Sequence, residues 1–116
     1  MTENPAFARI ESAIKANDIV LYMKGSKKLP QCGFSATVAA VLERLGIAEY
    51  HDVNVLADAE IREGVKAYAQ WPTIPQLYIK GEFVGGCDIV REMYQSGELQ
   101  AMLKEKGIAF KEADAA

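Results

Sequence analysis

The stretch "IVLYM", residues 19–23, is five apolar residues with no polar break. A strand with two apolar faces must be covered on both sides. This run therefore belongs in the middle of a sheet with helices above and below it. Its surroundings supply the helices. Asn4 and Pro5 form a helix start, cap followed by first-turn proline, and Phe7, Ile10 and Ile14 then recur at helical spacing until Asn17. After a Gly- and Pro-containing loop (24–31), residues 33–45 turn helical, with Val38, Val41, Leu42 and Leu45 as one stripe and Gly46 just past the end.

A second strand is expected over 50–55, "YHDVNV". Asp58 can cap a helix carrying Ile61, Val65 and Tyr68, although Gly64 weakens it by about 1 kcal/mol relative to alanine. "QLYI" and "EFV", joined by Lys80-Gly81, form a hairpin that the glycines at 85 and 86 end. Asp88 starts a helix with Ile89, Val90, Met93 and Tyr94, and a last helix with Leu99, Met102 and Leu103 closes at Gly107. The order is αβαβαββαα. The first two strands pair in parallel through a right-handed crossover and the hairpin adds an antiparallel pair. The prediction is an α/β fold, a four-stranded mixed sheet flanked by helices. The 116 residues form one domain, packed over about 5–106, with 107–116 as a flexible tail.

A formal net charge of −3 provides no basic field for a phosphate backbone, so nucleic acid is not expected as a partner. No segment is long and apolar enough for a membrane span, and two cysteines make no disulfide framework. The expected compartment is the reducing cytoplasm.

The chemistry starts at "QCGFS", residues 31–35: a C-x-x-C motif with Ser35 in the second position. Cys32 precedes a helix, where unpaired N–H groups and the helix dipole favour a thiolate. Lys24, Lys27 and Lys28 lie on the loop before it and add positive charge if they fold toward the sulfur.

Taken in order, "MKGSKKLPQCGFS" (23–35), "WPTIPQLYI" (71–79) and "GGCDI" (85–89) resemble the monothiol glutaredoxins of the CGFS type, over about residues 5–105. The resemblance implies a thioredoxin-like (glutaredoxin) fold, glutathione chemistry and a glutathione-assisted [2Fe–2S] cluster. Lys27 departs from the family, which often has proline there, and is expected to loosen the loop.

The resemblance also implies a set of glutathione contacts. Lys24 approaches both glutathione and the cysteine sulfur. Arg62 meets the glycyl carboxylate, for which a planar guanidinium is suited; Lys66, one turn on, is the weaker candidate. In Thr73-Ile74-Pro75 the proline follows a cis peptide, leaving the Ile74 N–H and C=O to grip glutathione's backbone as a strand would. Gly86 allows close approach. The N–H groups of Cys87 and Asp88 suit the γ-glutamyl carboxylate and the Asp88 side chain the adjacent ammonium; Asp88 also reads as a plain helix cap. Phe34 flanks the sulfur. Trp71 packs rather than binds, and the single histidine, His51, is given no role.

Two uses of Cys32 follow. In the first, Cys32 is a metal ligand. Two chains supply two of the four sulfurs of a [2Fe–2S] cluster and two glutathiones, or alternatively two Cys87 thiolates, supply the rest. The expectation is a cluster-bridged homodimer acting in iron–sulfur cluster transfer and iron homeostasis, with BolA-like proteins and iron–sulfur clients as family partners. In the second, Cys32 is the catalytic nucleophile of a glutathione-dependent thiol–disulfide oxidoreductase, removing glutathione from protein mixed disulfides. A peptide-binding adaptor ranks last, since it leaves Cys32 and the cations without a purpose.

Overall fold

The computed structural model describes residues 4–111. Its elements run α1 (Pro5–Ala16), β1 (Ile19–Met23), α2 (Gly33–Arg44), β2 (His51–Asn54), a short 3-10 turn (Val55–Ala57), α3 (Ala59–Ala69), β3 (Gln76–Ile79), β4 (Glu82–Gly85), α4 (Cys87–Ser96) and α5 (Glu98–Glu105). The sheet order is β2-β1-β3-β4, with β1 parallel to β2 and antiparallel to β3, and β3 antiparallel to β4. This is the four-stranded mixed sheet expected from the sequence, in a thioredoxin-like fold.

All five residues of β1 are buried. Because side chains alternate across a strand, they split between two cores. Ile19, Leu21 and Met23 join Leu77 and Ile79 under α2, α4 and α5, where Val38, Leu42, Val90, Leu99 and Leu103 pack. Val20 and Tyr22 join Tyr78 on the other face under α1 and α3, with Ile10, Ile14, Ile61 and Val65. The caps are local and behave as local rules predict: Asn4 Oδ1 accepts from the Ala6 N–H and Asp58 Oδ1 from the Ile61 N–H, each at 3.0–3.1 Å. Lys80 and Gly81, both at positive φ (50° and 81°), turn the β3–β4 hairpin.

Three expectations change. Gly64 is a packing residue: a Cβ built there would lie 2.3 Å from the Ala6 Cβ, so its absence lets α3 press against α1. The last helix begins from Gly97, and α4 begins at Cys87 with Gly86 as its cap residue, so Asp88 sits inside the first turn and is not the cap. The chain also stays on the domain beyond residue 106. Ile108 and Phe110 pack against the α2–α4–α5 core, and the Lys111 N–H donates to the Leu45 carbonyl at 2.6 Å. Residues 112–116 of the expected tail lie outside the described residues.

Overpacking a tight contact costs about 1–3 kcal/mol, against a helix-propensity gain of about 1 kcal/mol for replacing glycine. Gly64→Ala is therefore expected to lower the urea midpoint. Pairing it with Ala6→Gly should recover most of the loss. A single Gly64→Ala variant more stable than the parent would show that the α1–α3 contact is not tight.

Candidate functional site

The site is built where β1 ends and α2 begins. Both peptide groups of Lys24 are tied down: its N–H donates to Ser35 Oγ (3.0 Å) and its C=O accepts from the Gln31 N–H (2.8 Å). Ser35 is completely buried. The residue in place of a second cysteine thus joins the end of β1 to the first turn of α2. Gly25 (φ 88°) lets the 24–31 loop fold tightly, since a Cβ there would lie 2.5 Å from the Leu29 carbonyl oxygen.

Lys27 does the opposite of loosening this loop. Its Nζ donates to the carbonyls of Ala48 (3.1 Å) and Tyr50 (2.9 Å) and sits 4.5 Å over the Tyr50 ring. Its own N–H donates to Asp52 Oδ2 at 2.9 Å. Lys27 fastens the loop to the chain entering β2, and its charge is committed there instead of at the sulfur. Gly25 adds a further tie, donating to Asn54 Oδ1 at 2.9 Å.

Cys32 is the cap residue of α2 and is half-buried. Its side chain closes no capping hydrogen bond of full geometry, but the first-turn amides still act on the sulfur. The Ser35 N–H is the main influence holding the thiol below the ordinary thiol range. Burial opposes it, and the Phe34 N–H, the Lys24 ammonium and the Ser35 hydroxyl add to the lowering. This is the thiolate-favouring helix N-terminus that the sequence suggested. Leu29 and Phe34, on either side of Cys32 in the chain, are 67% and 63% exposed.

Beside the helix lies a cleft of about 180 Å³. Its walls are Phe34 from α2; Thr73, Ile74 and Pro75 from the segment before β3; and Gly86, Cys87 and Asp88 at the start of α4. Trp71 and Ile89 also line it, which the sequence did not suggest. The Ile74–Pro75 peptide is cis. Gly86 leaves little room for a side chain: a Cβ there would stand 3.2 Å from both the Pro75 carbonyl oxygen and the Trp71 indole nitrogen, so a neighbour would have to give by a few tenths of an ångström. Trp71 also packs, its ring 5.8 Å from that of Phe83.

Cys32, Lys24 and Arg62 do not line this cleft. Lys24 is placed by its influence on Cys32. Arg62 is on α3, half-buried, with a buried Nε that has no hydrogen-bond partner among the described residues. Its neighbours are otherwise engaged: Glu63 pairs with Lys66 (3.1 Å) and Glu60 with Arg9 (3.1 Å). Asp88 is 84% exposed and, among the described residues, its side chain makes only a long contact, 3.4 Å, with Arg91. Cys87 is half-buried, packed on the core, and unpaired with Cys32.

The chain thus combines a thioredoxin-like domain, one thiolate-favouring cysteine at a helix N-terminus, a cis-proline segment and an adjoining cleft. The glutaredoxin family profile matches residues 19–84. The "Probable monothiol glutaredoxin 2" of Rickettsia conorii is 62% identical over 104 residues, covering 90% of this chain and 96% of that protein. Among solved structures, the mature form of Trypanosoma brucei 1CGrx1 superposes with a TM-score of 0.80 at 45% identity, covering 96% of this chain and 75% of that one. A buckwheat glutaredoxin–glutathione complex superposes with a TM-score of 0.77 at 26% identity, covering 90% and 92%. The chain belongs to the glutaredoxin family, on its monothiol branch.

The thiol makes a direct prediction. In a Cys87→Ser background, the pH midpoint of iodoacetamide alkylation is expected below the ordinary thiol range, and Lys24→Gln should raise it. Because the folded-state pKa is depressed, the associated stability is present above the unfolded thiol's pKa and is lost as pH falls through the folded one. Ser35→Ala should cost about 1–3 kcal/mol in urea unfolding by stranding the Lys24 N–H, and should raise the alkylation midpoint as well. A midpoint unchanged from an unfolded cysteine would remove the electrostatic account.

Proposed function

We propose that this protein binds glutathione in the cleft beside Cys32, and that two copies carry a labile [2Fe–2S] cluster between them for delivery to client proteins and iron homeostasis. The observation that carries the reading is the lone, thiolate-favouring Cys32 whose motif partner, Ser35, is buried in a structural hydrogen bond. Among the described residues, no three His, Cys, Asp or Glu side chains gather to hold a metal. The motif of one chain offers the cluster a single sulfur, that of Cys32, and such a cluster takes four. Two Cys32 thiolates with two glutathione thiolates complete the set. The exposed Leu29 and Phe34 flanking Cys32 in the chain suit a surface that a second copy covers.

The buckwheat glutaredoxin solved with glutathione supports the ligand. In the proposed complex the Ile74 N–H and C=O pair with the peptide, and neither takes part in any other backbone hydrogen bond among the described residues. The first-turn amides at Cys87 and Asp88 receive the γ-glutamyl carboxylate, with the exposed Asp88 carboxylate near its ammonium. Gly86 leaves room for the backbone, and Thr73, Pro75 and Phe34 form the walls. Lys24 and Arg62 supply positive charge, Arg62 through a guanidinium free of ion pairs among the described residues. A BolA-like protein is a further proposed partner, and the cytoplasm the proposed compartment.

The lowered thiol pKa also favours a second reading, glutathione-dependent thiol–disulfide exchange. The Cys32 thiolate attacks the glutathione sulfur of a protein mixed disulfide and releases the protein thiolate. A second glutathione thiolate then attacks the Cys32–glutathione disulfide, giving glutathione disulfide and restoring Cys32.

Anaerobic reconstitution with iron, sulfide and glutathione tests the first reading. The expected product is a coloured dimer with about one glutathione per subunit. Cys32→Ser should abolish it, whereas Cys87→Ser should retain it. A cluster that forms equally well without glutathione would overturn the ligand set. Rapid glutathione-dependent turnover by the apoprotein, with no cluster formed, would favour the exchange reading.

A further inference from the structure

Ser35 and Gln76 are the two polar side chains fully buried among the described residues. Ser35 joins β1 to α2. Gln76 opens β3, an otherwise apolar strand, and is completely shielded from solvent without lining the cleft. An amide costs more to bury than a methionine of similar size unless it is fully hydrogen-bonded.

Its bonds point in one direction. Nε2 donates to the carbonyls of Trp71 (3.2 Å) and Thr73 (3.3 Å), so both of its protons are used on the segment before β3. Oε1 accepts from the Tyr78 hydroxyl at 3.1 Å. Burial raises the Tyr78 pKa, which keeps that hydroxyl protonated and donating. Tyr78 is held in turn by the rings of Tyr22 and Phe83, at 5.7 and 5.4 Å. A line of contacts thus runs from the aromatic core, through one amide, to two carbonyls spaced two residues apart. Those two bonds tie the amide to the chain entering the bend at Thr73–Ile74.

We propose that Gln76 is a positioning residue for the cleft: its amide holds the 71–75 segment in the bend that presents the Ile74 backbone to glutathione. Glutathione affinity then depends on a side chain that does not touch the ligand. This rests on the glutathione reading of the cleft given above.

Two variants separate positioning from stability. Gln76→Met keeps the volume and removes both bonds to the loop. Tyr78→Phe removes the bond behind the amide and leaves the loop bonds in place. Glutathione binding to the reduced full chain would be followed by calorimetry, with amide hydrogen exchange of 71–75 recorded alongside. Gln76→Met is expected to weaken binding by about tenfold or more and to speed exchange in 71–75, with the Cys32 alkylation midpoint unchanged. Tyr78→Phe is expected to change affinity by less than about threefold, even at a similar loss of urea stability. Should Gln76→Met not fold, Gln76→Leu, which also lacks the donors and buries no charge, takes its place. Equal affinity in the parent and the Gln76 variant, or equal losses in both variants, would overturn the clamp. A parent chain that does not bind glutathione would overturn the ligand reading instead, and the proposal with it.

Discussion

The structure depends on β1 being apolar on both faces. Once Ile19–Met23 is placed at the centre, two cores are required, one for Ile19, Leu21 and Met23 and one for Val20 and Tyr22. Each core needs helices, and the connection from β1 to its parallel neighbour must cross over one of those faces. That crossover is α2. Its first turn must therefore lie near the end of β1, where the Lys24–Ser35 hydrogen bond closes the junction and Cys32 is exposed to the amides of the helix start. Burial of five side chains thus fixes the location of the thiol.

Much of this was legible because it is local. The caps at Asn4 and Asp58, the β3–β4 turn and the stripe Val38–Val41–Leu42–Leu45 are each set by residues a few positions apart. Apart from the cap of α4, where Gly86 takes the place expected of Asp88, the misread positions depend on partners far along the chain. Gly64 looked like a weak helix residue because its contact, Ala6, is on another helix. Lys27 looked like a disturbance because the carbonyls it bonds, at 48 and 50, are more than twenty residues away. The packing of Ile108 and Phe110 could not be read from a short segment following a helix-ending glycine.

The cleft was legible in a different way, through motifs whose residues converge only in three dimensions. Phe34, 73–75 and 86–88 come together from three parts of the chain. What the reading of those motifs did not assign is the support behind the contact residues. Trp71 and Ile89 complete the walls, and Gln76 stands behind the loop. A signal for Gln76 was present: a polar residue opening an otherwise apolar strand must find hydrogen-bond partners. It named no partner, because a backbone carbonyl has no sequence signature.

The fastening of Lys111 to Leu45 has a practical geometric result. It holds the late chain against the C-terminal end of α2, whose other end carries Cys32. Twelve helical residues separate those ends, a span of about 18 Å at the usual helical rise. A fluorophore or affinity handle attached near Lys111 is thereby kept one helix length from the sulfur. The helix itself serves as a ruler, and any change in distance between such a label and a group bound at Cys32 reports movement of the bound group.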